Sequence, residues 1–337
     1  MCIKLIKIKR RGDSTHFAEY VNSIILVTVS IILTRKNLLF MMPTAGLECT
    51  GVSPKRSRWS RSRRFFRVRR QTKTDSDSIV NLWYHPAMEQ IANHEYLRAM
   101  AIARKIAAEV GEPLFCSERK RAIALSEEFF YDGPLVQDIL HIIETRGDYL
   151  GHGLIHVRKV AIDAGALIIT ESGEVISDAA VRRMVLLGHI AGLLHDISRA
   201  EKNHADRGAA EAIKILTDFP LSTQERLSIA GAIQNHEAFR PIITSISPEA
   251  QLLSDSLYDA DKFRWGPDNF TETIWAMTAP RAIPLSKLLS RFSVGMQGIE
   301  RIKESFRTVT GRRYGPDFIE RGLEIGSRLH AILTSDG

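Results

Sequence analysis

The sequence predicts an all-α protein, and two observations support this. From Pro86 onward, apolar residues recur at three- and four-residue spacing in successive segments, which is typical of amphipathic helices. Alternation of polar and apolar residues, the usual sign of a half-buried strand, is nearly absent; only Leu-Ile-Ile-Thr at 167–170 suggests a strand. We therefore expect residues 86–337 to form a single helical domain.

Turn-forming residues bound the expected helices. The first runs from Met88 to Val110 and ends at Gly111-Glu112-Pro113, because glycine and proline terminate helices. The next, about 119–130, ends at Asp132-Gly133-Pro134. The remaining predicted helices are about 135–145, 148–167, 177–198, 204–216, 223–235, 250–263, 285–308 and 316–333.

Charge divides the chain into two parts. Residues 1–85 contain 17 Lys and Arg and 5 Asp and Glu, a balance of +12. The whole chain has 46 Lys and Arg and 39 Asp and Glu. Residues 86–337 therefore hold 29 basic and 34 acidic residues, a balance of −5. Because proteins that bind nucleic acid present a basic face, we expect no nucleic-acid binding by the body of the protein.

The basic amino-terminal extension, residues 1–85, allows two interpretations. Nine of the sixteen residues 55–70 are Lys or Arg, with aromatic residues between them, which suits an arm that binds RNA or an anionic membrane. The other interpretation, which we favour, is a disordered or non-native extension, with Met88 as the natural start. The apolar run 21–34 is shorter than the ~20 residues that a membrane span needs, so membrane association is not expected.

A histidine–aspartate doublet ends the apolar helical run 185–194. A buried imidazole beside a carboxylate is costly unless both are paired, and a divalent metal ion commonly pairs with both. Six of the eleven histidines fall within one 85-residue window, at positions 152, 156, 189, 195, 204 and 236. The order His156, then His195-Asp196, then Asp261 therefore predicts a metal site.

This ordered set resembles the signature of the HD-domain superfamily of metal-dependent phosphohydrolases, which is named for its His-Asp doublet. In that family a histidine on one helix is followed by the doublet on a second helix and by an aspartate, often in Ala-Asp-Arg or Ala-Asp-Lys, on a later one. The matches here are His156 within 153–160, His195-Asp196, and Asp261 within 260–262. The resemblance covers about residues 148–265, roughly a third of the chain.

The resemblance implies an HD-domain helical bundle with a core at about 148–265 and additional flanking helices. It also implies a ligand set in which two further histidines either bind a second metal or contact phosphate. The implied metal ligands are His156, His195, Asp196, Asp261, His204 and His236. Three of these are candidates for catalysis, by orienting water, binding phosphate or protonating the leaving group: Asp196, His204 and His236. The residues expected to contact substrate are His152, Arg158, Arg199 and Lys262.

Such a set of nitrogen and oxygen ligands suits Mn, Fe, Co, Ni, Zn or Mg. The predicted reaction is hydrolysis of a phosphomonoester or nucleotide by a water molecule that the metal activates. Two alternatives remain at this point: a regulatory module that binds a nucleotide or metal without turnover, and a di-iron oxygenase. We expect one tightly held metal and a second weak position, because no additional carboxylate clearly bridges the two.

The remaining expectations concern single residues and the setting of the protein. His189 is expected to be a hydrogen-bonded core histidine, and Asp255 and Asp259 to face solvent or to lie just behind the ligands. Three scattered cysteines without a CxxC pair fit a cytoplasmic protein. The expected partner is a small phosphorylated molecule, and a homo-oligomer remains open.

Overall fold

The computed structural model describes residues 94–146, 153–174 and 177–335, all within one compact unit, His85–Gly337. These residues form thirteen α-helices and no β-strand, in agreement with the predicted fold class. The expectations for residues 1–85, for the start of the first helix at Met88 and for His152 concern residues outside these ranges. None of the helices formed by the described residues is both long and apolar enough to cross a membrane.

The helices are numbered here in chain order. They are α1 His94–Val110, α2 Leu114–Glu118, α3 Lys120–Asp132, α4 Pro134–Arg146, α5 Leu154–Glu171, α6 Ala179–Leu194, α7 His204–Leu216, α8 Thr223–Gln234, α9 Pro248–Phe263, α10 Ile274–Thr278, α11 Leu285–Leu289, α12 Phe292–Glu300 and α13 Val309–Ser335. A π-helical turn, Asn269–Thr273, precedes α10. Two 3₁₀ turns, Ala279–Arg281 and Arg301–Glu304, flank the α11–α12 region.

Helix α5 lies at the centre of the bundle and packs against α3, α6 and α9. This position explains why residues 167–170, which suggested a strand, are helical: they belong to the last turns of α5, where Leu167, Ile168 and Ile169 are fully buried. A helix that is covered on several sides needs no polar face, so it loses the periodicity that distinguishes it from a strand.

The predicted helix over 285–308 is broken into α11, α12 and the 3₁₀ turn Arg301–Glu304. The last helix, α13, begins at Val309 instead of Pro316. Its start is fixed by Thr308, whose Oγ1 accepts a hydrogen bond from the Gly311 backbone N at 2.7 Å, in the manner of a helix N-cap. A tertiary contact holds this cap, because Thr308 also donates to the Asp259 carboxylate.

The close approach of α5 and α6 depends on Gly192. A Cβ atom at that position would lie 2.4 Å from the Ala161 Cα and 2.7 Å from its backbone N, so only glycine fits without moving one of the helices. Helix α9 packs against both α5 and α6, and α8 packs against α6, α7 and α9. One place in the bundle thereby gathers the first turns of α5 and α7 and the carboxyl-terminal ends of α6, α8 and α9.

Candidate metal centre

The six predicted metal ligands meet in two groups of three. Within each group the ligand atoms all lie within 4.8 Å of one another. The first group is His156, Asp261 and His195, and the second group is Asp196, His204 and His236. Residues from five helices or their ends, spread over 106 positions of the chain, are therefore gathered at a single site that could hold metal ions.

The first group joins α5, the end of α6 and α9. His156 Nε2 lies 3.2 Å from His195 Nε2 and 3.3 Å from Asp261 Oδ1. His195 Nε2 lies 3.7 Å from the same oxygen of Asp261. Metal–nitrogen and metal–oxygen bonds of 2.0–2.2 Å at angles of about 90–120° place two ligands of one ion about 2.8–3.8 Å apart, so these three atoms fit around a single cation.

The second group joins the end of α6, the start of α7 and His236, the second residue after α8. His204 Nε2 lies 3.3 Å from His236 Nε2. Asp196 Oδ1 lies 3.5 Å from His236 Nε2 and 3.7 Å from His204 Nε2. This spacing also fits a single cation.

Asp196 spans the two groups. Its Oδ1 faces His204 and His236, while its Oδ2 lies 3.5 Å from His195 Nε2 and 4.0 Å from His156 Nε2. The doublet follows directly on the last residue of α6, Leu194, and the chain then turns, with Arg199 N bonded to Asp196 O at 2.9 Å. The expectation of one tight metal rested on the lack of a bridging carboxylate, and the position of Asp196 removes that reason.

Three of the four histidine rings present Nε2 to the site while an oxygen holds their Nδ1: a backbone carbonyl for His195 and His236, and a carboxylate for His204. His195 Nδ1 lies 2.8 Å from Gly192 O, and His236 Nδ1 lies 2.6 Å from Ile233 O. A carbonyl can only accept a hydrogen bond, so it assigns the proton to Nδ1 and leaves the Nε2 lone pair free to bind a metal. Converging lone pairs repel one another unless a cation lies between them.

The charges of the first group suit a cation as well. Burial lowers the pKa of His195 to about 4, against the opposing influence of Asp196 and Asp261, so its ring is neutral near pH 7. Burial alone would raise the pKa of Asp261, but the Lys262 ammonium and the His156 ring outweigh it and hold that pKa well below its usual range. A neutral imidazole and an ionised carboxylate are the forms that bind metals.

Glu237, to which the sequence analysis gave no role, orients His204. Its Oε1 lies 2.9 Å from His204 Nδ1, and this hydrogen bond holds the pKa of the carboxyl at about 2. Histidine ligands commonly donate their second N–H to a carboxylate in this way. Helix α7 begins at His204 because Asn203 adopts a left-handed backbone conformation, with φ of 57°, that ends the preceding turn. Asparagine tolerates that conformation better than most residues.

The four residues expected to contact substrate differ in position. Arg199 lies beside the second group, with Nη1 2.8 Å from His204 Nε2 and 3.8 Å from Asp196 Oδ1. Lys262 is buried; its Nζ lies 2.5 Å from Asp261 Oδ2 and donates to His236 O at 2.9 Å, so it holds one member of each group. Arg158 turns toward α4 and pairs with Glu144 at 2.7 Å. His152 lies outside the described residues.

Two other acidic or imidazole groups are fully buried. His189 hydrogen-bonds with Ser126 through Nε2 at 2.9 Å, which confirms the prediction of a core histidine. Asp259 does not face solvent: it accepts hydrogen bonds from the backbone N atoms of Arg307 and Thr308, both at 2.8 Å. Burial raises the pKa of Asp259 to about 6, although these bonds oppose the shift.

Comparison with known proteins adds nothing to this geometry. No family model, no curated protein and no solved structure matches the chain.

Proposed function

We propose that the chain is a metal-dependent phosphohydrolase of the HD type. His156, His195 and Asp261 would hold one divalent cation, His204 and His236 would hold a second, and Asp196 would offer one carboxylate oxygen to each. The observation that supports this most directly is the division of the two Asp196 oxygens between the two groups of ligands. A carboxylate that accepted hydrogen bonds from one histidine pair alone would not need to face the other pair with its second oxygen.

The ligand chemistry narrows the choice of cation. Four imidazole nitrogens and two carboxylates suit the first-row transition metals Mn, Fe, Co, Ni and Zn better than Mg, which prefers an all-oxygen shell. Besides Asp196, the first cation would have three protein ligands and the second would have two, so each would retain positions for water and substrate. Divalent cations bound there would lower the pKa of a coordinated water and polarise a phosphoryl oxygen.

The residues of the chain then have separate tasks. Asp196 orients the attacking water, since its carboxylate lies between the groups and can accept a hydrogen bond. Arg199 is the residue we assign to the phosphate, because its guanidinium lies beside the second group and its side chain is 25% exposed. A guanidinium binds phosphate oxygens in a bidentate manner and stabilises the charge of a phosphoryl-transfer transition state.

Lys262 has a different role in this proposal from the phosphate contact that we expected. Its ammonium is buried between Asp261 and the His236 carbonyl. We therefore assign it to holding the two ligands in place, and we leave Arg158, which pairs with Glu144, without a task in the reaction.

The test combines metal analysis with phosphate release. After loading with Mn²⁺ or Co²⁺, the protein should hold two equivalents per chain and release inorganic phosphate from members of a panel of nucleotides and sugar phosphates. A chelator should abolish the release, and added metal should restore it. Phosphate release that survives complete metal removal would contradict the proposal, and tight metal binding without any turnover would favour a binding module.

A matched pair of variants completes this test. Asp261→Asn removes a charged ligand of the first group, whereas Asp255→Asn changes a partly exposed aspartate on the same helix that bonds Gln251. Only Asp261→Asn should reduce metal content and phosphate release.

A further inference from the structure

Helix α8 ends two residues before His236 of the second group, and two basic side chains bind the backbone carbonyls of the two residues that follow the helix. Arg307 Nη1 donates to the Asn235 carbonyl at 2.9 Å, and Lys262 Nζ donates to the His236 carbonyl, also at 2.9 Å. The last carbonyls of a helix have no partner within the helix and carry partial negative charge. The two basic side chains therefore fix the backbone from which His236 projects.

Arg307 itself is held rigidly. Its backbone N donates to Asp259 Oδ1 at 2.8 Å, and Thr308 donates to Oδ2 through its backbone N at 2.8 Å and through Oγ1 at 2.7 Å. Its guanidinium carbon lies 3.5 Å from the centre of the Tyr258 ring, which is a close cation–π contact. Two residues of α9 thus place the side chain that reaches the end of α8.

Asn235 is fixed from its other side as well. Its side-chain amide donates to Ile243 O and accepts from Ile243 N, both at 2.9 Å. The side chain of Asn235 is thus bound to Ile243 and its carbonyl to Arg307. These bonds restrict the backbone conformation at Asn235 and therefore the direction in which His236 projects.

We infer that Arg307 is a positioning residue that directs His236 Nε2 into the second group of ligands. The inference rests on the proposed function, in which that group binds a metal ion. Arg307 lies beyond residue 265, outside the part of the chain that resembles the HD-domain signature. The segment that joins the Arg301–Glu304 turn to α13 therefore contributes to the metal site without providing a ligand.

The geometry makes the effect of Arg307 specific to one metal. The first group projects from α5, from the end of α6 and from α9. The Arg307 guanidinium contacts α9 at the Tyr258 ring, but it donates its hydrogen bond to Asn235, at the end of α8. A substitution of Lys262 would not separate the effects on the two groups, because its ammonium contacts both Asp261 and the His236 carbonyl. Removal of the Arg307 guanidinium should disturb the second group and leave the first in place.

The experiment is a titration of the full chain, freed of metal, with Co²⁺, followed by calorimetry, visible absorption and elemental analysis. Three variants are compared with the unaltered protein: Arg307→Met, Arg307→Lys and Arg313→Met. The last is a matched control, because the Arg313 guanidinium also lies over a tyrosine ring, that of Tyr314, and pairs with Glu118. Thermal unfolding of the metal-free proteins measures any general loss of stability.

We expect Arg307→Met to weaken the second Co²⁺ equivalent by about 10- to 100-fold, the usual effect of losing a partner that orients a ligand, with the first equivalent unchanged. Arg307→Lys should restore part of that affinity, and Arg313→Met should match the unaltered protein. Equal loss of affinity for both Co²⁺ equivalents in Arg307→Met would overturn the inference, and so would unchanged affinity for both. Either result would leave the proposed function standing. An unaltered protein that binds fewer than two equivalents would overturn both.

Discussion

Glu237 Oε1 and His204 Nδ1 lie 2.9 Å apart, and this contact turns the other nitrogen of the ring toward His236 and Asp196. The contact suits His204 to metal binding, because an ionised carboxylate fixes the tautomer and the direction of the ring. The relation depends on the turn that ends at Asn203 and on the end of α8, which are far apart in the sequence.

The first prediction concerns this contact. Glu237→Gln keeps the shape of the side chain but removes its charge, so we expect affinity for the second metal equivalent to fall about 10- to 100-fold. Titration of the metal-free protein with Co²⁺ measures it. Glu201→Gln, which changes an exposed glutamate paired with Arg207, is the control and should have no effect. An unchanged second affinity in Glu237→Gln would contradict the assigned role.

The second prediction concerns Asp196, whose two carboxylate oxygens face different groups. Asp196→Asn removes a carboxylate charge that faces both groups, so metal content should fall for both equivalents and phosphate release should fall about 100-fold or more. The fold should survive, since the side chain keeps its size; circular dichroism checks this. Asp206→Asn, on the exposed side of α7, is the control. Near-normal turnover in Asp196→Asn would show that the site is misassigned.

The third prediction links helix packing to the site. In Gly192→Ala the new Cβ would overlap the Ala161 backbone, so α5 and α6 must separate. Overpacking of this kind costs about 1–3 kcal/mol of stability, and the separation should also weaken the first metal equivalent by moving His156 away from His195. Chemical denaturation and metal titration measure the two effects.

Gly231→Ala is the matched control for that substitution. A Cβ atom at Gly231, inside α8, would meet nothing within 4 Å. Replacement of an unstrained helical glycine by alanine should raise stability by about 0.5–1 kcal/mol. If Gly192→Ala were as stable as Gly231→Ala, the close approach of the two helices would not be a constraint.

The fourth prediction is a pH dependence of stability. Burial lowers the pKa of His189 from 6.5 to about 3. Between these two pH values the unfolded chain binds a proton at His189, whereas the folded chain does not. The stability due to neutral His189 is therefore complete above pH 6.5 and is lost as the pH falls, with a slope of up to about 1.4 kcal/mol per pH unit.

Denaturant titrations in the presence of a chelator, from pH 7 to pH 4.5, measure this slope. His189→Gln should be less stable at pH 7, because the core site is tight, but its disadvantage should shrink as the pH falls. His141→Gln, an exposed histidine, should follow the unaltered protein throughout. A difference between His189→Gln and the unaltered protein that does not change with pH would refute the prediction.

The sequence by itself determined the helical class and the identity of the candidate ligands. Helices are local, with a period of 3.6 residues and recognisable ends, and those of α7 and α8 agree with the predicted segments within one residue. The candidate ligands stand out because imidazole and carboxylate side chains are conspicuous within apolar helices such as α6, and because their order resembles a known signature. Residues 167–170 were ambiguous because burial on several sides removes that periodicity.

Only the tertiary structure decided how these residues are combined. The division of the Asp196 oxygens between two groups depends on how close α5 and α6 come at Gly192, and the packing of distant helices fixes that distance. The burial of Lys262 and the reach of Arg307 to the end of α8 likewise depend on contacts between remote segments. The sequence order of two side chains carries no information on such distances, which explains why the ligands could be listed before their arrangement was known.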